Sequence, residues 1–142
     1  MPTFAYSKQM AFRITDNGGT LRDVSSQLIS VEGLPGEREL YDVTALGDSG
    51  RRWFGGLENG QINLEVWWAA DAGTGVDTVF GPLRTDTTVR AWDFGPEGTA
   101  STKTKYSGSM LERSYMITGR VGNVHTARVA INVDGTIARG TY

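Results

Sequence analysis

Nineteen glycines are spread through the 142 residues rather than bunched, and they cut the chain into short runs rich in Val, Ile, Thr, Tyr, Phe and Trp. Glycine weakens the interior of regular structure and accepts the positive φ angles of tight turns, so runs of this length bounded by glycine read as strands joined by turns. The chain is therefore expected to be all-β. Its spacing suggests a β-sandwich or partly closed barrel of about eight or nine strands with one short α-helix, folded as a single domain over residues 1–142. No repeat, low-complexity tract or linker divides it.

The alternation is cleanest from Gln61 to Trp68, where Ile62, Leu64, Val66 and Trp68 are expected to face a core and Gln61, Asn63, Glu65 and Trp67 to face away. A first strand is read from Phe4 to Ile14, followed by a turn at Asp16-Asn17-Gly18-Gly19. Ser25–Gly33 and Glu37–Thr44 are read as a hairpin around a type II turn at Leu34-Pro35-Gly36-Glu37. Ala45 to Asn59 mixes glycines, paired arginines and two aromatics, and is expected to be a long loop or ragged hairpin too apolar to idle in solvent. Val76 to Leu83 alone carries helical spacing, with Val76, Val79, Phe80 and Leu83 on one side. Strands at Thr87–Phe94, Lys105–Tyr115 and Val124–Val133 complete the reading, with an Asp-Gly turn at Asp134 opening the tail.

A chain of this length can bury a core without help from metals or disulfides, and it contains no cysteine. No apolar run approaches the roughly 20 residues of a membrane-spanning helix, and the first residues lack the pattern of a signal peptide, so folding in a cytoplasm is expected. The formal net charge of -2 argues against a dedicated nucleic-acid binder, which needs a basic patch to neutralise phosphates.

Catalytic chemistry finds little to work with. The one histidine, His125, begins the last apolar strand and reads as a core or partly buried side chain. Gly73-Thr74-Gly75 lacks the third glycine of a nucleotide loop, and Asp71 and Asp77 lack the carboxylate series of a calcium loop. Glu37 and Glu39 share a strand face while Asp42 points the other way, so they form no matched acid and base. Trp53, Trp67, Trp68 and Trp92 read as core and interface residues before a sugar-binding platform, a reading that would need Trp67 and Trp92 exposed side by side. No enzymatic activity, cofactor or metal is expected.

The stretch from Tyr41 to Glu65, Tyr-Asp-Val-Thr-Ala-Leu-Gly-Asp-Ser-Gly-Arg-Arg-Trp-Phe-Gly-Gly-Leu-Glu-Asn-Gly-Gln-Ile-Asn-Leu-Glu, resembles the major tail tube proteins of long-tailed, non-contractile, siphovirus-like bacteriophages. In that family a strand ending in Asp-Val-Thr leads through a Gly-Asp-Ser or Gly-Asp-Thr segment and a basic or polar pair to a Gly-Leu step and an alternating strand. Asp42, Gly47, Asp48, Gly56 and Leu57 match it. The likeness runs on through the helix, Lys105-Tyr106-Ser107-Gly108 and Val133 to Thr141, without an appended immunoglobulin-like domain.

The resemblance implies a virion structural protein, made in the host bacterial cytoplasm, whose copies close into rings, commonly of six, and stack into a tube that conducts DNA to the host. Its implied partners are itself and other tail proteins such as the tape measure, terminator and distal tail proteins, with DNA passing through unbound. Subunit contacts are expected at Asp42, Asp48, Arg51, Arg52, Trp53, Phe54 and Leu57, and at the ends through Phe4, Tyr6, Arg139 and Tyr142. Glu39, Asp42 and Glu65 are nominated for the bore, because an acidic or neutral lining lets DNA slide. A tail terminator, adaptor or capsid decoration protein is the second reading, and a carbohydrate-binding module the third.

Overall fold

The computed structural model describes residues 4–5, 7–72 and 75–142. The expected helix stands at Val76–Leu83 (α1), entered from Gly75. Nine strands run through the described residues: β1 Ala11–Thr15, β2 Leu21–Asp23, β3 Leu28–Glu32, β4 Glu37–Asp42, β5 Trp53–Asn59, β6 Gln61–Trp67, β7 Arg90–Gly95, β8 Thr104–Thr118 and β9 Thr126–Thr141. Seven of them make one antiparallel sheet in the order β2-β1-β7-β8-β9-β6-β3, and β4 and β5 form a separate two-stranded sheet. The large sheet is not closed, since β2 and β3 are its two edges.

Alternation along each strand builds the core. Ile62, Leu64 and Val66 of β6 meet Ala127, Val129 and Ile131 of β9 in register and are all buried. Phe12 of β1 stacks on Trp92 of β7, ring centroids 6.1 Å apart. Helix α1 lays Val76, Val79, Phe80 and Leu83 into the same cluster, closing the inner face of the sheet. The Val76 backbone N–H, unpaired within the helix, donates to the Gln27 side chain at 2.8 Å.

Several expectations are corrected. The strand read from Phe4 begins only at Ala11, because Ser7–Gln9 form a 3-10 turn and Phe4 is exposed. Leu34–Pro35 is a cis peptide, so the turn is not type II, although Gly36 does take a positive φ of 107°. The two strands flanking it do not pair with each other. Instead β3 pairs with β6 and β4 with β5, each apolar face finding its partner elsewhere. Of the two forms expected for Ala45–Asn59, the ragged hairpin stands: β5 occupies Trp53–Asn59 and pairs with β4 through a bulge. Asp134-Gly135 does not end the last strand. One residue of β8, Gly108, stands opposite the three residues 135–137, and this bulge, with Gly135 at φ 82°, lets β9 run on to Thr141. His125 is exposed in the turn before β9, edge-on to Trp68 with centroids 6.1 Å apart, and is not a core residue.

Candidate assembly interface

The β4–β5 hairpin and its tip form an arm with few ties to the rest of the molecule. At its root the Glu58 carboxylate accepts the Ile137 backbone N–H at 3.1 Å, and Gly36 and Gly60 bring the two arm chains against Ile137 and Val133. Gly33 lies where the chain leaves β3, and its φ of 94° and an added Cβ only 2.0 Å from the Gln61 carbonyl oxygen admit no other residue without a shift.

Strand alternation and the β4–β5 register place Leu40, Asp42 and Trp53 on one face of the arm and Glu39, Tyr41 and Phe54 on the other, while Leu57 lies in a bulge where Gly56 and Leu57 together stand opposite Glu39. Large apolar groups are thus exposed on both faces: Trp53 is 58% exposed, Phe54 62% and Leu57 80%, and Leu40, Tyr41, Val43 and Leu46 are exposed as well. A two-stranded hairpin is marginal in water on its own, and one with apolar groups on both faces cannot bury them against a single domain. The glycines of β5 leave room for β4 side chains across the arm, because a Cβ at Gly55 would meet the Arg38 guanidinium at 3.2 Å and one at Gly56 the Tyr41 ring at 2.6 Å.

The charged residues of the tip are bound to one another. Asp42 accepts the Thr44 hydroxyl at 2.6 Å and the Thr44 N–H at 3.0 Å, and pairs with Arg51. The Thr44 contacts, with help from Arg51, hold the Asp42 carboxyl below the usual carboxylate range. Asp48 accepts the Ala45 N–H at 2.7 Å and lies 3.7 Å from Arg52, whose own N–H donates to the Thr44 hydroxyl at 2.9 Å. The string Asp-Val-Thr…Gly-Asp-Ser…Arg-Arg therefore has a local use: it shapes the tip that presents the aromatics.

The remaining candidates lie apart from the arm. Phe4 is exposed, Tyr6 falls outside the described residues, and Arg139 is exposed on β9. Tyr142 is held on its own domain: its hydroxyl donates to the buried Asp93 at 2.8 Å, and its ring lies between Arg13 and Lys105, each 5.3 Å from the centroid. Glu65 sits on the outer face of the large sheet, directly opposite Arg128 in the β6–β9 register and Ser30 in the β3–β6 register. Glu39 accepts the Tyr41 hydroxyl at 2.7 Å. The tryptophans make no platform, since Trp92 is buried while Trp67 is exposed at the far end of β6.

Comparison with solved structures gives the architecture a setting. The chain superposes on a subunit of the tail of an empty gene transfer agent particle, solved with C6 symmetry, with a TM-score of 0.78 at 15% identity over 97% of this chain and 100% of the other. It has the tail-tube fold. The SPP1 tail tube subunit matches with a TM-score of 0.75 at 11% identity, over 98% of this chain and 80% of that one. A chain of the sheath–tube complex of an extracellular contractile injection system matches with a TM-score of 0.70 at 10% identity, over 100% of this chain and 95% of the other. No protein-family model matches, and neither does any curated protein. The resemblance drawn from Tyr41 to Glu65 is thus carried by the fold over nearly the whole chain, and the tail-tube fold serves both an SPP1 tail tube and a contractile system.

Two features lie outside the residues expected from sequence: the turn between β8 and β9, where Val121 and Val124 are exposed and Val124 lies beside Trp67, and Glu112, whose carboxyl is buried. Two valines in a polar, glycine-rich turn are a signal for the first, and alternation from Met110, which puts Glu112 on the inward face, is a signal for the second.

Proposed function

We propose that this chain is the repeating subunit of a tail tube. Copies close into a ring, taken as six, through the unpaired edges of β2 and β3, and the rings stack through the arms into an open-ended filament with an axial bore. An exposed strand edge is an aggregation hazard in a monomer, and ring closure turns it into the interface. The observation that carries the reading is the arm, apolar on both faces and tied down only at its root, on a fold shared from end to end with tail-tube subunits.

The role is structural rather than catalytic. DNA carries one negative charge per roughly 1.7 Å of its axis, so a basic lining would hold it through many phosphate contacts. A subunit of net charge -2, with Glu65 opposite Arg128 on the outer sheet face and Glu39 and Asp42 on the arm, has no basic excess and suits a bore through which DNA slides on its way into a host. Phe4, Tyr6 and Arg139 serve as further subunit contacts, and the tube ends meet other tail proteins, the tape measure, terminator and distal tail proteins, in a virion assembled in a bacterial cytoplasm.

The test is to express the protein alone and examine it by negative-stain electron microscopy with light scattering in line. Rings or tubes of constant diameter with a central hole are the expected result. A strict monomer at high concentration would move the assignment to a terminator, adaptor or decoration protein.

A further inference from the structure

Resting on the tail-tube reading, we propose that the arm of one copy docks on the turn between β8 and β9 of the next copy along the tube, its aromatics covering Trp67, Val121 and Val124. The geometry is that of β6. The arm root joins β6 at Gly60, and Trp67 ends the same strand, so the two surfaces stand at opposite ends of a rod roughly 20 Å long. Beyond Val133, β9 continues past Gly60 to Ile137, where it meets Glu58, so the arm leaves the body in the direction away from Trp67. Two unlike apolar surfaces at opposite ends of one subunit make a head-to-tail contact that repeats without closing.

The far surface is built to receive something. Thr118, Arg120, Gly122, Asn123, Val124 and Thr126 surround a hollow of about 530 Å³ beside Trp67. Trp67 is 47% exposed and Val121 fully so.

Charge selects the occupant. Residues 114–127, which include the turn, hold Arg120 and no carboxylate, whereas residues 37–59 contain five carboxylates and three arginines. Two of those arginines are already tied to Asp42 and Asp48 within the tip. The arm is thus acidic overall and the turn carries the single cation Arg120, which draws the arm of another copy and disfavours a second turn.

The chain has no cysteine, so the contact is testable by crosslinking. Ser49→Cys at the arm tip and Asn123→Cys at the rim of the hollow both fall at exposed positions and leave the aromatics and valines of the contact in place. Assembled protein carrying both is treated with a short bis-maleimide and run on a denaturing gel. The expected result is a ladder of covalent multimers, with no ladder from either single variant. Arg120→Glu is expected to raise several-fold the concentration at which tubes form. Tubes of normal appearance from the double variant that yield no ladder would overturn the pairing and leave the tail-tube reading intact. A wild-type chain that forms no rings or tubes would overturn both.

Discussion

Glu112 stands directly opposite Ile131 in the β8–β9 ladder, so a carboxyl group shares the inward face with one of the most deeply buried side chains of the core. Both of its oxygens are buried without a hydrogen-bond partner. Burial pushes its pKa up to about 8, against the opposing pull of Arg84. Arg84 at the end of α1 is the ionisable group that acts on it, and burial, with help from Glu112, in turn raises the pKa of the Tyr115 hydroxyl of β8, which donates to Asp77 of α1.

A proton held in the folded state and released in the unfolded one makes stability depend on pH. For an acid with a raised pKa, stability is full below the unfolded value near 4.5 and declines as pH rises towards 8. The melting temperature is therefore expected to fall between roughly pH 5 and pH 9, by about 1 to 2 kcal/mol of stability once the partial exposure of the side chain is discounted. Glu112→Gln should flatten the profile. A native protein whose melting temperature is level across this range would refute the assignment.

Tyr142 covers Asp93, which also accepts Arg13 at 2.9 Å. Tyr142→Phe removes one of the two partners of a buried carboxylate while keeping the ring between its cations. A loss of about 1 to 2 kcal/mol is expected in urea unfolding, and Asp93→Ala should cost more, because it leaves the Tyr142 hydroxyl and Arg13 unpaired together.

Gly33→Ala places a methyl against the Gln61 carbonyl in a backbone conformation that L side chains rarely adopt. We expect about 2 kcal/mol or more of destabilisation, while Gly47→Ala, at a position with open space around it, should change stability by less than about 0.5 kcal/mol. Thermal unfolding of the two variants side by side decides the point.

On the arm, Trp53→Ala and Arg52→Glu are expected to melt within a few degrees of the parent and yet to stop tube growth, since both side chains are exposed in the single subunit. Normal tubes from both would remove the arm from the assembly contact. Arg52→Glu acts partly through the tip itself, where it sets two carboxylates side by side near Thr44.

Where a segment's own pattern determined its structure, the sequence was readable. The strict alternation of β6, the one-sided apolar stripe of α1 and the Asp16 turn, whose carboxylate accepts the Gly18 and Thr20 N–H groups, all stand as expected. Pairing is not local and is not read from pattern alone: a proline and two glycines between β3 and β4 suggest a hairpin, whereas β3 pairs with β6 across the whole β4–β5 arm and β4 with β5 across the arm's tip. Glycines at 55 and 56 left loop and ragged hairpin both open, because they answer to the Arg38 and Tyr41 side chains, which no inspection of β5 alone reveals. Asp134-Gly135 carries the composition of a turn and makes a bulge, since the strand beyond it still has β8 to pair with. Among the interface candidates, the arm residues were legible as exposed aromatics in a glycine-rich setting; the far turn was not, because its valines matter only through the distance that β6 sets between them and the arm.

The long β8–β9 hairpin has a mechanical consequence. It extends from the turn beside Trp67 to Ile137 at the arm root, so a pull between those two ends acts along the strands and not across them. Its rungs lie perpendicular to that direction and are loaded in shear, all sharing the force, where a peeling load would break them one at a time. A filament built from such subunits would be stiff in tension along its axis and would yield first at the glycine joints of the arms.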